Sequence, residues 1–255
     1  MDHFSQAIQD TYTNPLNILL VAAFVLAEGL LPAQAILRRP QVALDLLGFG
    51  AGVIFVTVIY GTLQQAVGWL MSLDPSVVLA NLWGLPPWLK LTLTAVLTDF
   101  YGYWFHRSMH EKKWLWPTHR WHHSIEHLYW FSGFRASFLH ILALALPQVL
   151  LPFYLLNMSA TETALAIGLV NFTQFFKHAN VRFPSHWLDW LFVTPHFHAI
   201  HHNRGKGLNK NFGFFLTVWD RVFGTAIFPK DMPRPFPMGL PQRQQKPVWR
   251  MVLGV

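Results

Sequence analysis

Three histidine clusters flank the apolar middle of this chain, and they have to meet for the pattern to make chemical sense. Two lie close together, His106-Arg-Ser-Met-His110 and His119-Arg-Trp-His122-His123. The spacing of the second returns downstream as His198-Ala-Ile-His201-His202. On a helix, residues at i, i+3 and i+4 share a face, so each triplet is expected to aim its imidazoles to one side, and His106 with His110 likewise. A structural zinc takes four protein ligands and a catalytic one about three. Eight directed nitrogens therefore suit two metal ions better than one. His178, alone after a long apolar run, arrives at the same membrane surface and is the expected ninth ligand. A lone histidine beside aromatic residues is ordinarily just hydrogen-bonded, but three clusters at ligand spacing point to metal.

Composition sets the environment. Hydrophobic residues make up 53% of the 255 and charged residues only 12%, far from the one-quarter charged usage of soluble domains. An all-α integral membrane protein with about four to five transmembrane helices and a cytoplasmic histidine-rich cap is the expected fold. A single membrane domain over 1–255 is expected, because the clusters sit on both sides of the later spans and must converge. Within it, 15–94 holds the N-terminal spans, 95–228 the catalytic region and 229–255 a tail. Cysteine is absent, so disulfides, iron–sulfur clusters and Cys-ligated zinc are excluded. Met1-Asp2-His3 carries no basic stretch ahead of an apolar run, which argues against a cleaved secretory signal. The formal charge of +7 is scattered among tryptophans and apolar runs, so nucleic acid is not an expected partner.

Along the chain, Pro15–Leu37 is apolar for about one crossing of roughly 20 residues and is closed by Arg38-Arg39-Pro40. A second apolar segment runs from Val42 to Met71, with Gly48-x-x-x-Gly52 offering close approach to another helix. Asp74, Pro75, Pro86 and Pro87 mark a loop. The third span starts near Trp88 and runs into His106, its last turns carrying Asp99, Tyr101, Tyr103 and Trp104 as an interfacial belt. Residues 138–156 and 161–176 read as a helical hairpin, spanning or re-entrant, with both ends returning to the histidine side. Trp187–Val193 and Phe212–Phe228 are expected along the membrane surface. With five spans, Lys90 is the only one of 19 basic residues on the side opposite the histidines. The positive-inside rule then turns the clusters toward the cytoplasm; the expected location is a bacterial inner membrane.

Imidazole suits zinc, copper, iron and nickel, so ligand type alone does not name the metal. Neither Glu-x-x-His nor His-Glu-x-x-His occurs, since Glu111 is followed by Lys112, Lys113 and Trp114. A haem protein would place its axial histidines singly on facing helices, and a transporter would hold ligands near the bilayer midplane; neither matches.

The joint pattern Asp99…Tyr103-Trp-Phe-His106-Arg-x-x-His110-Glu111, His119-x-x-His122-His123-Ser124, His178-Ala-Asn180, Thr194-Pro195…His198-x-x-His201-His202 and Asn211-Phe-Gly213…Trp219-Asp-Arg-Val-Phe-Gly-Thr225 resembles the fatty acid hydroxylase and sterol desaturase superfamily over roughly residues 95–228. Arg135 and the His110-Glu111 pair are similar to its bacterial branch that includes alkylglycerol monooxygenase, although no pterin motif can be assigned. The resemblance implies a non-haem di-iron centre with His106, His110, His119, His122, His123, His178, His198, His201 and His202 as ligands. It also implies hydroxylation or desaturation of a lipid C–H bond with O2, or ether-lipid cleavage. Electrons would come from a separate redox partner, ferredoxin or cytochrome b5-like with its reductase, and zinc would be a substitute metal in recombinant protein.

Ligating histidines donate their other N–H to a carboxylate or carbonyl. Asp99, two turns before His106, is the expected catalytic partner of that ring, with headgroups or Arg107 as its alternative contact. Asn180 is expected to orient His178, or else to act as a cap, and Glu126 to serve the second cluster or remain at the surface. Glu28 is expected to snorkel and pair with a neighbouring helix rather than line a substrate or proton path. His127 and His196 lack ligand spacing and are left out. Asp220-Arg221 is expected to close a local turn, with Gly213 and Gly224 permitting tight backbone.

Overall fold

The computed structural model describes residues 15–34, 41–73, 84–182, 187–205, 209–232 and 234–255. The expected stop at Arg38-Arg39-Pro40 and the Asp74-Pro75 turn lie outside them. Among the described residues there are helices and no strands, only three isolated bridges such as Phe192 with Leu216. In chain order the α-helices are α1 (Pro15–Leu30), α2 (Val42–Leu73), α3 (Pro87–Glu111), α4 (Trp116–Arg120), α5 (Phe138–Val149), α6 (Ala160–His178), α7 (Pro195–His201), α8 (Val218–Val222) and α9 (Val248–Leu253).

Local chemistry explains the boundaries that matter for the site. Proline at the first turn starts α3 and α7, where a missing N–H costs nothing. Ser137 caps α5 by accepting from the His140 amide at 3.2 Å. Ser159 and Glu162 close a reciprocal capping box on α6, 3.3 and 2.6 Å. Pro147 lacks an N–H to donate, and α5 passes into a π-helical stretch, Leu150–Leu155, before the Asn157 turn. Both arms return to the histidine side as expected, with His140 near the start of one and His178 at the end of the other.

One described segment, Val42–Leu63 of α2, is long and apolar enough to cross a bilayer by length and composition; Val21–Leu30 and Phe138–Pro152 are apolar but shorter. Two expectations change. Gly48 does allow a close approach, but of the end of a short 3-10 helix, Trp130–Phe134, where a Cβ would come within 3.0 Å of the Phe134 oxygen, while nothing lies within 4 Å of a Cβ on Gly52. The Phe212–Phe228 run does not lie wholly at the surface: Phe212, Phe214 and Phe215 are buried, because two carboxylates capture their amides. Asp99 accepts from Phe215 and Asp220 accepts from Phe212 and Gly213. Trp187, Trp190, Leu191 and Phe192 do project outward.

The polar core beneath the site was not foreseen. Asp45 of α2 is buried and pairs with Arg135, Nε to Oδ1 2.8 Å, while Tyr129 donates its hydroxyl to Oδ2 at 2.6 Å. This clamp holds the 122–135 segment against α2. Glu28 turns inward rather than snorkelling, accepting from the amides of Trp130 and Asn180, both at 2.7 Å.

Candidate metal centre

The nine predicted histidines converge, but not as three one-sided clusters. Potential ligand nitrogens form two groups, each within 4.8 Å: His106, His110, His119, His123 and His201 in one, His122, His178, His198 and His202 in the other. Each triplet is divided between them. Residues i and i+4 differ by only about 40° around a helix, whereas i+3 and i+4 stand about 100° apart. His119 and His123 therefore stay together while His122 crosses over, and His198 and His202 stay together while His201 crosses. The second triplet is not even a continuous α-helix, since α4 ends at Arg120 and a 3-10 turn carries His122–Ser124.

Hydrogen bonds set the protonation pattern. His106 Nδ1 faces the Phe212 carbonyl at 2.9 Å, His122 that of Arg135 at 3.2 Å, His178 that of Gln174 at 2.7 Å and His201 that of Lys210 at 2.8 Å. A carbonyl only accepts, so each Nδ1 carries the proton and each Nε2 presents a lone pair. These Nε2 atoms point at one another. His106 and His119 are 2.8 Å apart, His123 and His201 2.9 Å, His122 and His178 3.1 Å, His178 and His198 3.1 Å, and His198 and His202 3.2 Å. His122 and His178 thus face each other lone pair to lone pair, which is repulsive unless a cation lies between them. Two nitrogens each ~2.1 Å from one ion at right angles stand ~3.0 Å apart, so the spacing suits metal binding. Burial, reinforced by neighbouring rings, holds His119, His122, His123, His198 and His202 well below the ordinary histidine range; burial, with Lys177 nearby, takes His201 down to about 4 and His178 to about 3. The rings stay neutral, as ligands must.

The supporting residues differ from expectation. Asp99 does not reach His106: its oxygens accept from the amides of Phe215 at 2.6 Å and Leu216 at 3.3 Å and from Trp219 Nε1 at 2.8 Å. The donors that satisfy it lie in the returning 212–219 segment, so it braces the carbonyl side of the site from a distance. Asn180 does not touch His178 either. Its amide side chain is exchanged with Gln34, donating at 2.7 Å and accepting at 3.1 Å. Glu126 is exposed, as is His127, and His196 faces the Met232 carbonyl at 3.1 Å. Asp220 closes its turn as expected, taking Phe212, Gly213 and the Thr225 hydroxyl at 2.8, 2.7 and 2.6 Å. Burial pushes its carboxyl up to about 6 while those donors pull it down. Gly224 has φ of 68°, and a Cβ on Gly213 would meet the Leu216 oxygen at 2.8 Å.

His140 was missed. Its Nδ1 lies 3.0 Å from Nδ1 of His119, and it is buried. Asp45, His140 and Lys177 are all ionisable residues within or ending apolar runs, a recognisable mark of function.

A cavity of about 190 Å³ opens against His106, His119, His122 and His198. It continues between Gly52, Val53 and Val56 of α2, Ile141 and Leu144 of α5 and Val170 of α6. Tyr60, whose hydroxyl donates to Gln148 at 2.7 Å, lines it too.

A helical scaffold carrying two all-histidine groups beside a largely apolar cavity defines a chain equipped to hold metal next to an apolar ligand. Residues 91–225 match the fatty acid hydroxylase family, and the chain belongs to that family. It is 36% identical over 150 residues to the ornithine lipid hydroxylase of Rhizobium tropici, covering 57% of this chain and 43% of that protein. To the human alkylglycerol monooxygenase it is 33% identical over 137 residues, 50% and 28% of the two chains. To the fatty acid hydroxylase of a Lecanicillium species it is 29% identical over 188 residues, 68% and 49%. The chain thus spans less than half the length of these relatives. No solved structure matches it.

Proposed function

We propose that this protein is a membrane-bound non-haem di-iron oxygenase that hydroxylates, or desaturates, a C–H bond of a lipid. The observation carrying this reading is the pair of histidine groups whose unprotonated nitrogens converge beside an apolar cavity. His106, His110, His119, His123 and His201 would hold one iron, and His122, His178, His198 and His202 the other. Irons so held supply the redox chemistry that activates O2 toward an unactivated C–H bond. Hydroxylation consumes one O2, two electrons and two protons per C–H bond, giving an alcohol and water, so a separate redox partner is needed.

The chain's own residues do the rest. The carbonyls of Phe212, Arg135, Gln174 and Lys210 fix ring orientation and tautomer. Buried Met109 and Phe214 line the cavity beside the histidines and keep water from them. Ile141, Leu144 and Val170 offer an apolar path for a lipid chain.

A membrane location accounts for side chains that a soluble surface would not tolerate: Leu26 and Ile54, on α1 and α2, are each 63% exposed. On this reading 1–255 is one membrane domain of four to five spans in a bacterial inner membrane, its metal centre facing the cytoplasm. The names of the relatives suggest ornithine lipids or fatty acids on one side and alkylglycerols on the other; alkylglycerol monooxygenase-like ether cleavage is the second reading.

Lipid mass spectrometry of cells with and without the gene tests the activity. A species gaining one oxygen or losing two hydrogens is expected, absent with His122→Ala. Purified protein is expected to bind two iron or substituting zinc ions per chain. A lipid profile unchanged by the gene would refute the activity.

A further inference from the structure

A buried cation inside the cavity is left without a role by the chemistry above. Lys177, the residue before His178, is 3% exposed and lines the cavity with His106, His122 and His198. Its ammonium has the Phe214 carbonyl at 3.5 Å and the Phe214 ring at 4.2 Å from the centroid. That is a thin set of contacts for a group with three donors. Among the described residues the ion pairs are Arg107–Glu111 and Arg135–Asp45, so no carboxylate lies within pairing distance of Lys177. Asp99 turns its oxygens toward Phe215, Leu216 and Trp219. No aspartate or glutamate lines the cavity.

The electrostatic consequence is specific. Nine neutral imidazoles bring no negative charge, and Asp99 acts on Lys177 only through space, so two divalent ions and an ammonium would share a buried site with no protein anion in contact with them, which is costly. A ligand bearing a negatively charged or strongly polarised oxygen would remove that imbalance.

We infer that Lys177 is the recognition group for a carboxyl oxygen on the substrate, a free carboxylate or the carbonyl of an acyl group, with the hydrocarbon chain extending along α5 toward Tyr60 and Gln148. This rests on the lipid-oxygenase reading and deepens it. The space agrees with the order of groups: His140 and Gln148 are eight residues apart on α5, roughly 12 Å along the axis, and the intervening wall is dominated by apolar side chains. Tyr60 is packed with Ile59, Ala145 and Val149, a fixed part of the wall beside the chain. Since Lys177 adjoins His178, the carbons nearest the carboxyl group are those presented to the metal groups.

The test uses the full chain in nanodiscs, loaded with redox-inert zinc, and reads binding of decanoate, methyl decanoate and decanol by calorimetry. Decanoate is expected to bind at least ~10-fold more tightly than decanol, as a hydrogen bond to a charged group allows. Lys177→Met is expected to remove that preference and Lys177→Arg to retain it, both at unchanged zinc content. Methyl decanoate tracking decanoate would identify an acyl carbonyl as sufficient; its tracking decanol would identify the free carboxylate. Equal affinities in the wild type, or a preference surviving Lys177→Met, overturns the proposal. Infrared spectra of carboxyl-labelled decanoate on the wild type give a second reading independent of any variant's folding: an unshifted carboxylate band also overturns it. Because no turnover is involved, failure here is separable from absence of oxidised lipid in cells.

Discussion

The two histidine groups use the same ligand chemistry but are assembled differently. The five-membered group draws four of its rings from residues 106–123 and only His201 from afar, and His110 is partly exposed. The four-membered group is wholly buried and takes His122, His178 and the His198–His202 pair from three distant parts of the chain. Its support is equally dispersed: the carbonyl that orients His122 belongs to Arg135, itself clamped to Asp45 of α2. The first group is therefore largely a local structure, and the second is a report on the whole fold.

That contrast makes ordered predictions. The largest effect is expected from His178→Ala, which removes one of only four ligands: metal content should drop from two ions to one, and lipid oxidation by more than the ~10–100-fold typical of losing an outer partner. Retention of both ions, read by elemental analysis, would show that the second group is not a distinct site. Acid should come next. In chelator-stripped protein the histidines are lowered from 6.5 when folded, His201 to about 4 and His178 to about 3, so the unfolded chain binds protons that the folded chain refuses. Stability should fall as pH drops from 6.5 through about 4 and be regained as pH rises; a flat circular-dichroism melting profile over that window would contradict it.

Asp45→Ala should cost ~3–5 kcal/mol, because it leaves Arg135 buried and uncompensated. Its sharper signature is selective: loss of metal from the His122 group before the His106 group, seen by chelator titration. His140→Leu should do the reverse, weakening metal in the His119 group by ~10–100-fold, with global melting little changed. The smallest effect belongs to Glu111→Gln. The Arg107–Glu111 pair is at the surface, its side chains 23% and 43% exposed, and is worth ~0.5 kcal/mol or less; a larger loss would mean the end of α3 is held more weakly than its contacts suggest.

The nine histidines that converge were legible in the sequence because histidines at three- and four-residue spacing are rare and chemically pointed. Their partition was not, since it depends on the direction in which each backbone segment crosses the site. The partners were read least well. Asp99 sits at helical spacing from His106, yet its carboxylate is taken by amides of a segment more than a hundred residues away, while a carbonyl from that same segment, Phe212, satisfies His106. Asn180 next to His178 invited a local pairing, but α1 and its exit, through Glu28 and Gln34, claimed it. His140 and Asp45 had no spacing signal and were visible only as polar residues in apolar runs.

Residue type and short-range spacing alone determined that this chain is helical, apolar and equipped to hold metal through nitrogen, because periodicity and ligand chemistry are local properties. Which rings gather in each group, and that the Phe212 carbonyl fixes the proton of His106, were decided only by the tertiary structure. Those contacts join segments such as His122 with His178 and His123 with His201, 56 and 78 residues apart, in a buried space where every unpaired polar group is costly.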